Sequence, residues 1–175
     1  MALKYLRILF TWTALYGVSI GLAAETASPQ VRLVTKLYED FAFEAVINSP
    51  AQTRPYFILS PRATLNRYLL PDLAASLLRN RRMEEITKEE SSLDFGPLWG
   101  NQDPVGSWVT IRDAKKSDVV EVEITQHGGP DNEPNRHSIF YTLKRSKAGW
   151  RIDDILYMDL GDGEQHTLRN ILRPD

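Results

Sequence analysis

Asp94 and Asp103 stand nine residues apart in the stretch Leu93-Asp94-Phe95-Gly96-Pro97-Leu98-Trp99-Gly100-Asn101-Gln102-Asp103-Pro104. Two carboxylates at that separation can converge on a cation or divide acid and base roles between them. Aspartates in loops rich in proline, glycine and asparagine more commonly close on their own backbone as Asx-turns, and that is the stronger expectation here. Trp99 lies between them, a large apolar side chain in polar surroundings, which is the pattern of a contact anchor. The binding residues expected from this stretch are Asp94, Trp99 and Asp103.

A second acidic pair, Asp153 and Asp154, follows Trp150-Arg151-Ile152. Strict alternation puts Asp154 on the same side as Trp150 and Ile152. A carboxylate facing an apolar interior is costly unless paired, and its pKa rises. A bulge after Ile152 would instead turn Asp154 out and Ile155 in. An ion pair to Arg62, Arg67 or another arginine would also neutralise it. Asp154, with His137 as its helper, is the candidate for acid–base chemistry. The three histidines, His127, His137 and His166, lack metal-ligand spacing. His127 and His137 could meet across the turn joining their strands, but two ligands fall short of the three that a catalytic zinc uses. No metal and no cofactor is expected. There is no EF-hand spacing, no G-x-S-x-G, no Ser-x-x-Lys and no glycine-rich phosphate loop. Gly161-Asp162-Gly163 reads as a turn. The chain has no cysteine, which removes thiol catalysis, disulfides and cysteine-bound zinc.

The elements that must position these residues divide into helices and then strands. Ser28-Pro29 is a cap-plus-proline start. Val31, Val34, Leu37, Tyr38, Phe41, Ala45 and Val46 then recur at helical spacing, predicting an amphipathic helix to near Asn48. Ser60-Pro61 repeats the start signal, with Leu65, Tyr68 and Leu69 on the buried face. Pro71 interrupts, and a second piece from Asp72 to about Lys88 carries Leu73, Leu77, Leu78 and Met83. From Ser107 the period changes to two: Trp108 to Arg112, Val120 to Ile124, Ile139 to Leu143 and Trp150 to Ile152 are four strand candidates. Asp113 to Asp118 and Gly128 to Arg136 connect them. Ser146 to Gly149 is a short hairpin connection, and Gln165 to Leu172 predicts a closing helix. The fold class expected is α+β, with N-terminal helices packed on an antiparallel sheet whose Glu121 and Glu123 face water.

The segment from Leu93 to Pro104, together with Gly149-Trp150-Arg151-Ile152-Asp153-Asp154-Ile155, resembles the DUF3828 family of exported bacterial proteins of unknown function. That family has an L-D-x-D-P turn and a Q-D pair before the sheet, and a W-x-I-x-x-I strand near the end. Gly96 stands where the family pattern has its second aspartate. The resemblance spans roughly 31–172 in element order. It implies an NTF2-like (cystatin-like) cone, a curved antiparallel sheet around helices that leaves a pocket. It supplies no catalytic residues, and pockets of that fold serve enzymes and binding modules alike.

Lys4 and Arg7, an apolar run from Ile8 to Leu22, and the small residues Gly21, Ala23 and Ala24 follow the order of a secretory signal peptide. The run is shorter than the roughly 20 residues of a spanning helix. The expectation is a signal peptide over 1–24, cleaved after Ala23 or Ala24, and a single domain over 25–175. Cleavage takes the Lys and Arg count from 21 to 19 against 23 Asp and Glu, and the formal charge from −2 to −4. No electrostatic footprint for nucleic acid exists in that balance, and no stable membrane insertion is expected after cleavage. An exported, cysteine-free domain fits a periplasmic or secreted location. The function expected is a non-enzymatic binding or interaction module for a protein or small molecule of the cell envelope. One version is an immunity-type inhibitor that plugs an envelope toxin through Trp99, so that Trp99→Ala would weaken capture and leave the melting temperature nearly unchanged. The alternative is a pocket enzyme using Asp154 and His137 on a small apolar substrate.

Overall fold

The computed structural model describes residues 27–46, 54–88, 93–126, 134–158, 160 and 163–173. The predicted signal peptide, His127 and the Gly161-Asp162 turn lie outside them. Helix α1 (Pro29–Phe41) starts as the sequence predicts: Ser28 Oγ accepts the Val31 amide at 3.1 Å. Val31, Val34, Leu37, Tyr38 and Phe41 form its buried face. The α-helix stops earlier than the periodicity suggests. Ala42–Ala45 tightens into a 3₁₀ turn, and this turn carries Glu44 into the interior.

A second 3₁₀ turn, Phe57–Leu59, precedes α2 (Arg62–Tyr68) and α3 (Pro71–Thr87). Ser60 does not cap α2; its hydroxyl donates to the Tyr56 carbonyl at 3.3 Å. Pro71 separates the two helices, and the preceding residues run extended, as proline requires. The Leu70 amide donates to the Ile152 carbonyl at 2.8 Å, tying this break to the sheet. Leu73, Ala74 and Leu77 bury the first half of α3. Met83 does not join them, because the helix has by then left the core, and it stands exposed with Ile86.

The sheet is antiparallel, curved and open, with strand order β1 (Ser107–Asp113), β2 (Val119–Gln126), β3 (Asn135–Ser146), β4 (Gly149–Tyr157) and β5 (His166–Thr167). The α+β layout is the one expected, with a fifth strand of two residues beyond the expected four. Those two residues take the start of the predicted closing helix, which shortens to α4 (Leu168–Ile171). Val120, Val122 and Ile124, then Ile139, Tyr141 and Leu143, then Ile152, Ile155 and Tyr157 bury one face against α1. The other face is wet. There Arg112 grips Glu121 through two nitrogens, at 2.8 and 3.1 Å. Lys147 and Ala148 make the tight β3–β4 turn, with Ser146 Oγ accepting the Ala148 amide.

Between Thr142 and Leu143 the β3–β4 register shifts, since Thr142 pairs Asp154 whereas Leu143 pairs Ile152. Asp153 is the additional residue. This bulge lets both Ile152 and Ile155 face the core, which strict alternation forbids. Burying two isoleucines is the driving term, worth roughly 1.5–3 kcal/mol each.

Candidate functional site

The loop from Leu93 to Val105 runs through the interior at Pro97, Leu98 and Trp99. Three consecutive carbonyls take hydrogen bonds from two buried tyrosines and a partly buried histidine. Tyr157 donates to Pro97 at 2.9 Å, Tyr38 donates to Leu98, and His137 Nε2 lies 2.7 Å from the Trp99 oxygen. A carbonyl only accepts, so His137 carries its proton on Nε2. The Gly96 amide bonds the Asn101 carbonyl at 2.9 Å and closes the loop on itself. Gly100 turns with φ +65, and a Cβ there would come within 3.3 Å of Ile139 Cδ1 and 3.4 Å of His137 Nε2. The dihedral favours glycine, and a side chain there would also have to displace Ile139 or His137 slightly. From the sheet, Gln126 Nε2 donates to the Asp103 carbonyl at 2.7 Å.

This loop overturns the expectation for Trp99. The indole is only 3% exposed and packs edge-on against Tyr38 at 5.4 Å between ring centroids. Its Nε1 donates to Glu44 Oε2 at 2.8 Å. A buried indole needs a partner for its N–H, and Glu44 supplies one, so the polar composition of the loop does not keep the ring outside. Trp99 is a floor residue and not a protruding anchor. Trp108, placed by alternation on a strand, is the tryptophan that is 46% exposed.

Glu44 is the residue that sequence reasoning missed. It is 7% exposed, and its Oε1 accepts the Phe57 amide at 2.6 Å. Burial pushes its carboxyl above the ordinary range, while the bonds from Phe57 and Trp99 pull the other way. Both partners are neutral donors. The signal was present in the chain: Glu44 follows Leu37 by seven and Phe41 by three, on the apolar stripe itself.

Glu44 and Trp99 line a cavity of about 640 Å³ whose wall also includes Tyr56, Ile58 and the loop from Leu93 to Val105. Asp94 and Asp103 are exposed at its rim. The three expected binding residues therefore do converge on one cavity, with Trp99 at its base. Asp103 Oδ1 accepts the Val105 amide at 3.1 Å, the Asx-turn expected of it. Asp94 Oδ2 takes a longer bond, 3.4 Å, from Gln102. On its other side Trp99 borders a second cavity of about 520 Å³, between α1 and β1.

The Asp154 candidate fares differently. The bulge sets it beside α4, where its Oδ1 accepts the amides of Ile155 at 2.9 Å and Arg169 at 3.0 Å. It does not face the core, because the bulge turns Ile155 inward in its place. His137 is not near it in register: Asp154 pairs Thr142, five residues along β3, roughly 17 Å at strand rise. The acid–base pair is therefore not assembled. Asp153 beside it is neutralised by Lys144 at 2.7 Å and by Arg169 at 2.7 Å, which also reaches Asp72 at 2.8 Å. Among the described residues, no three His, Asp or Glu side chains are grouped to hold a metal. No helix among them is long and apolar enough to cross a membrane.

No family model and no curated protein matches this chain. Among solved structures it is similar to a protein of unknown function from Bacteroides thetaiotaomicron, at 17% identity and TM-score 0.41, covering 72% of this chain and 87% of that one. It is also similar to a phospholipid-binding protein from Ralstonia solanacearum solved with a phospholipid, at 14% identity and TM-score 0.31, covering 81% of this chain and 68% of that one.

Proposed function

We propose that this chain is a non-enzymatic binding module, exported and working in the bacterial envelope, whose ligand enters the cavity floored by Glu44 and Trp99. One observation carries the reading: the residues expected to bind, Asp94, Trp99 and Asp103, line a single cavity of about 640 Å³. That volume lies within the range of small-molecule sites, and the lining is mostly apolar with a few convergent polar groups, as in such sites generally. Export is supported by the charged, apolar and small-residue order of 1–24. The DUF3828 resemblance supports the same placement.

Acid–base catalysis at Asp154 has lost its geometry, since that carboxylate accepts backbone amides beside α4. The toxin-plugging version has lost its anchor, since Trp99 is interior. The small-molecule version is the one retained. Its test is native mass spectrometry of the full chain purified from its own envelope, beside a Val105→Trp variant that fills the cavity mouth. The expected result is a small molecule retained by the wild type and absent from the variant. Equal retention by both, or none by the wild type, would refute it.

A further inference from the structure

The charged residues lining the Glu44 cavity all have one sign. They are Glu44, Glu84, Asp94 and Asp103, and the lining contains no lysine, arginine or histidine. Elsewhere among the described residues, several partly buried carboxylates have cations: Asp153 has Lys144 and Arg169, Asp40 has Lys36 and Glu121 has Arg112, whereas Asp154 accepts backbone amides. Glu44 is more buried than any of these, and the donors on its two oxygens, the Phe57 amide and the Trp99 indole, are neutral. Neutral dipoles orient a carboxylate without cancelling its charge, and each oxygen keeps a second lone pair. Buried charges in proteins are ordinarily paired. The cavity wall also contains the rings of Tyr56, Phe95 and Trp99. Aromatic faces attract organic cations through their quadrupole, most strongly when desolvated.

We propose that this cavity takes an organic cation, an amine or quaternary ammonium on an apolar body, with Glu44 as its counter-charge. The inference deepens the binding-module reading and rests on it. A metal ion fits less well, because no three acidic side chains among the described residues are grouped around one point. A phosphate-bearing ligand would meet four carboxylates and no cation in the lining.

The test titrates the full chain by calorimetry with three probes of similar size: benzyltrimethylammonium, neutral N-benzylacetamide and anionic benzylphosphonate. The cation is expected to bind at least about tenfold tighter than either of the others, and to weaken as salt is raised. Glu44→Gln is expected to lose about tenfold for the cation and nothing for the amide. Should that variant not fold, the exposed pair Asp94→Asn and Asp103→Asn is expected to lose about threefold. Equal binding of the amide or the phosphonate would overturn the cation proposal and leave the binding reading standing. Silence from all three probes would overturn the cation proposal too, and the Val105→Trp retention comparison then decides the binding reading separately.

Discussion

Glu44 and Asp153 mark two regions with opposite charge logic. At the β4–α4 region, Asp153 and Asp72 share Arg169, and Lys144 completes the neutralisation. Burial pulls the Arg169 pKa down, yet the bonds to Asp72 and Asp153 win and hold it above its ordinary value. That region is a closed structural network. At the loop region, Glu44 is held by an amide and an indole, and a cavity opens in front of it. The sequence made the β4–α4 acids look like the chemistry, because Asp154 falls in phase with Trp150 and Ile152. The difference teaches that a candidate acid is judged by what neutralises it: a paired acid holds the fold, while an unpaired buried one needs a ligand or a proton.

Four substitutions or titrations would break or sharpen that contrast. Trp99→Ala is expected to cost about 3–5 kcal/mol in a denaturant titration, since it empties a core site and removes a donor from Glu44. A loss under about 1 kcal/mol would mean that the loop is a peripheral rim after all. Arg169→Ala should cost about 1–2 kcal/mol, less than a fully buried pair because the guanidinium is partly exposed and Lys144 still serves Asp153. The Glu44 effect is smaller and depends on pH. Its folded pKa is raised above the ordinary 4.5, so the native state holds the proton to higher pH than the unfolded chain does. Stability from this group is therefore greatest below pH 4.5 and declines as pH rises through the folded value. Melting curves between pH 4 and about 7 should show that decline in the wild type, relative to Glu44→Gln. Matching profiles would show that the carboxyl is not perturbed. Arg112→Ala, on the wet face, is expected to cost no more than about 0.5–1 kcal/mol, and 1 M salt should reduce the difference.

Much of the frame was legible in the chain. Ser28-Pro29 predicted the start of α1, Pro71 predicted the α2–α3 break, and the period-two runs predicted β1 to β4 with the right faces for Val120, Val122, Ile124, Glu121 and Glu123. Three things resisted for physical reasons. The Asp153 bulge is a register event between two strands, and a single strand's alternation carries no record of its partner. The burial of Trp99 depends on Tyr157, Tyr38 and His137, which reach the loop's carbonyls from elements far away in sequence. Local composition alone reads such a loop as surface. Glu44 was hidden by the opposite error: its spacing said buried, and its charge argued for water. Only the Phe57 amide and the Trp99 indole reconcile the two. Asp94, Trp99 and Asp103, singled out in the sequence, line one cavity, but Trp99 is interior where its loop's composition placed it outside.

The most direct test of the Glu44 cavity as a cation site is the carboxyl ¹³C resonance of Glu44, followed by pH titration with and without saturating benzyltrimethylammonium. The bound cation should lower the Glu44 midpoint toward its ordinary value, because a counter-charge stabilises the ionised form, while the Asp153 and Asp154 resonances stay in place. Binding that leaves Glu44 unmoved, or that shifts the Asp153 resonance instead, would contradict the account.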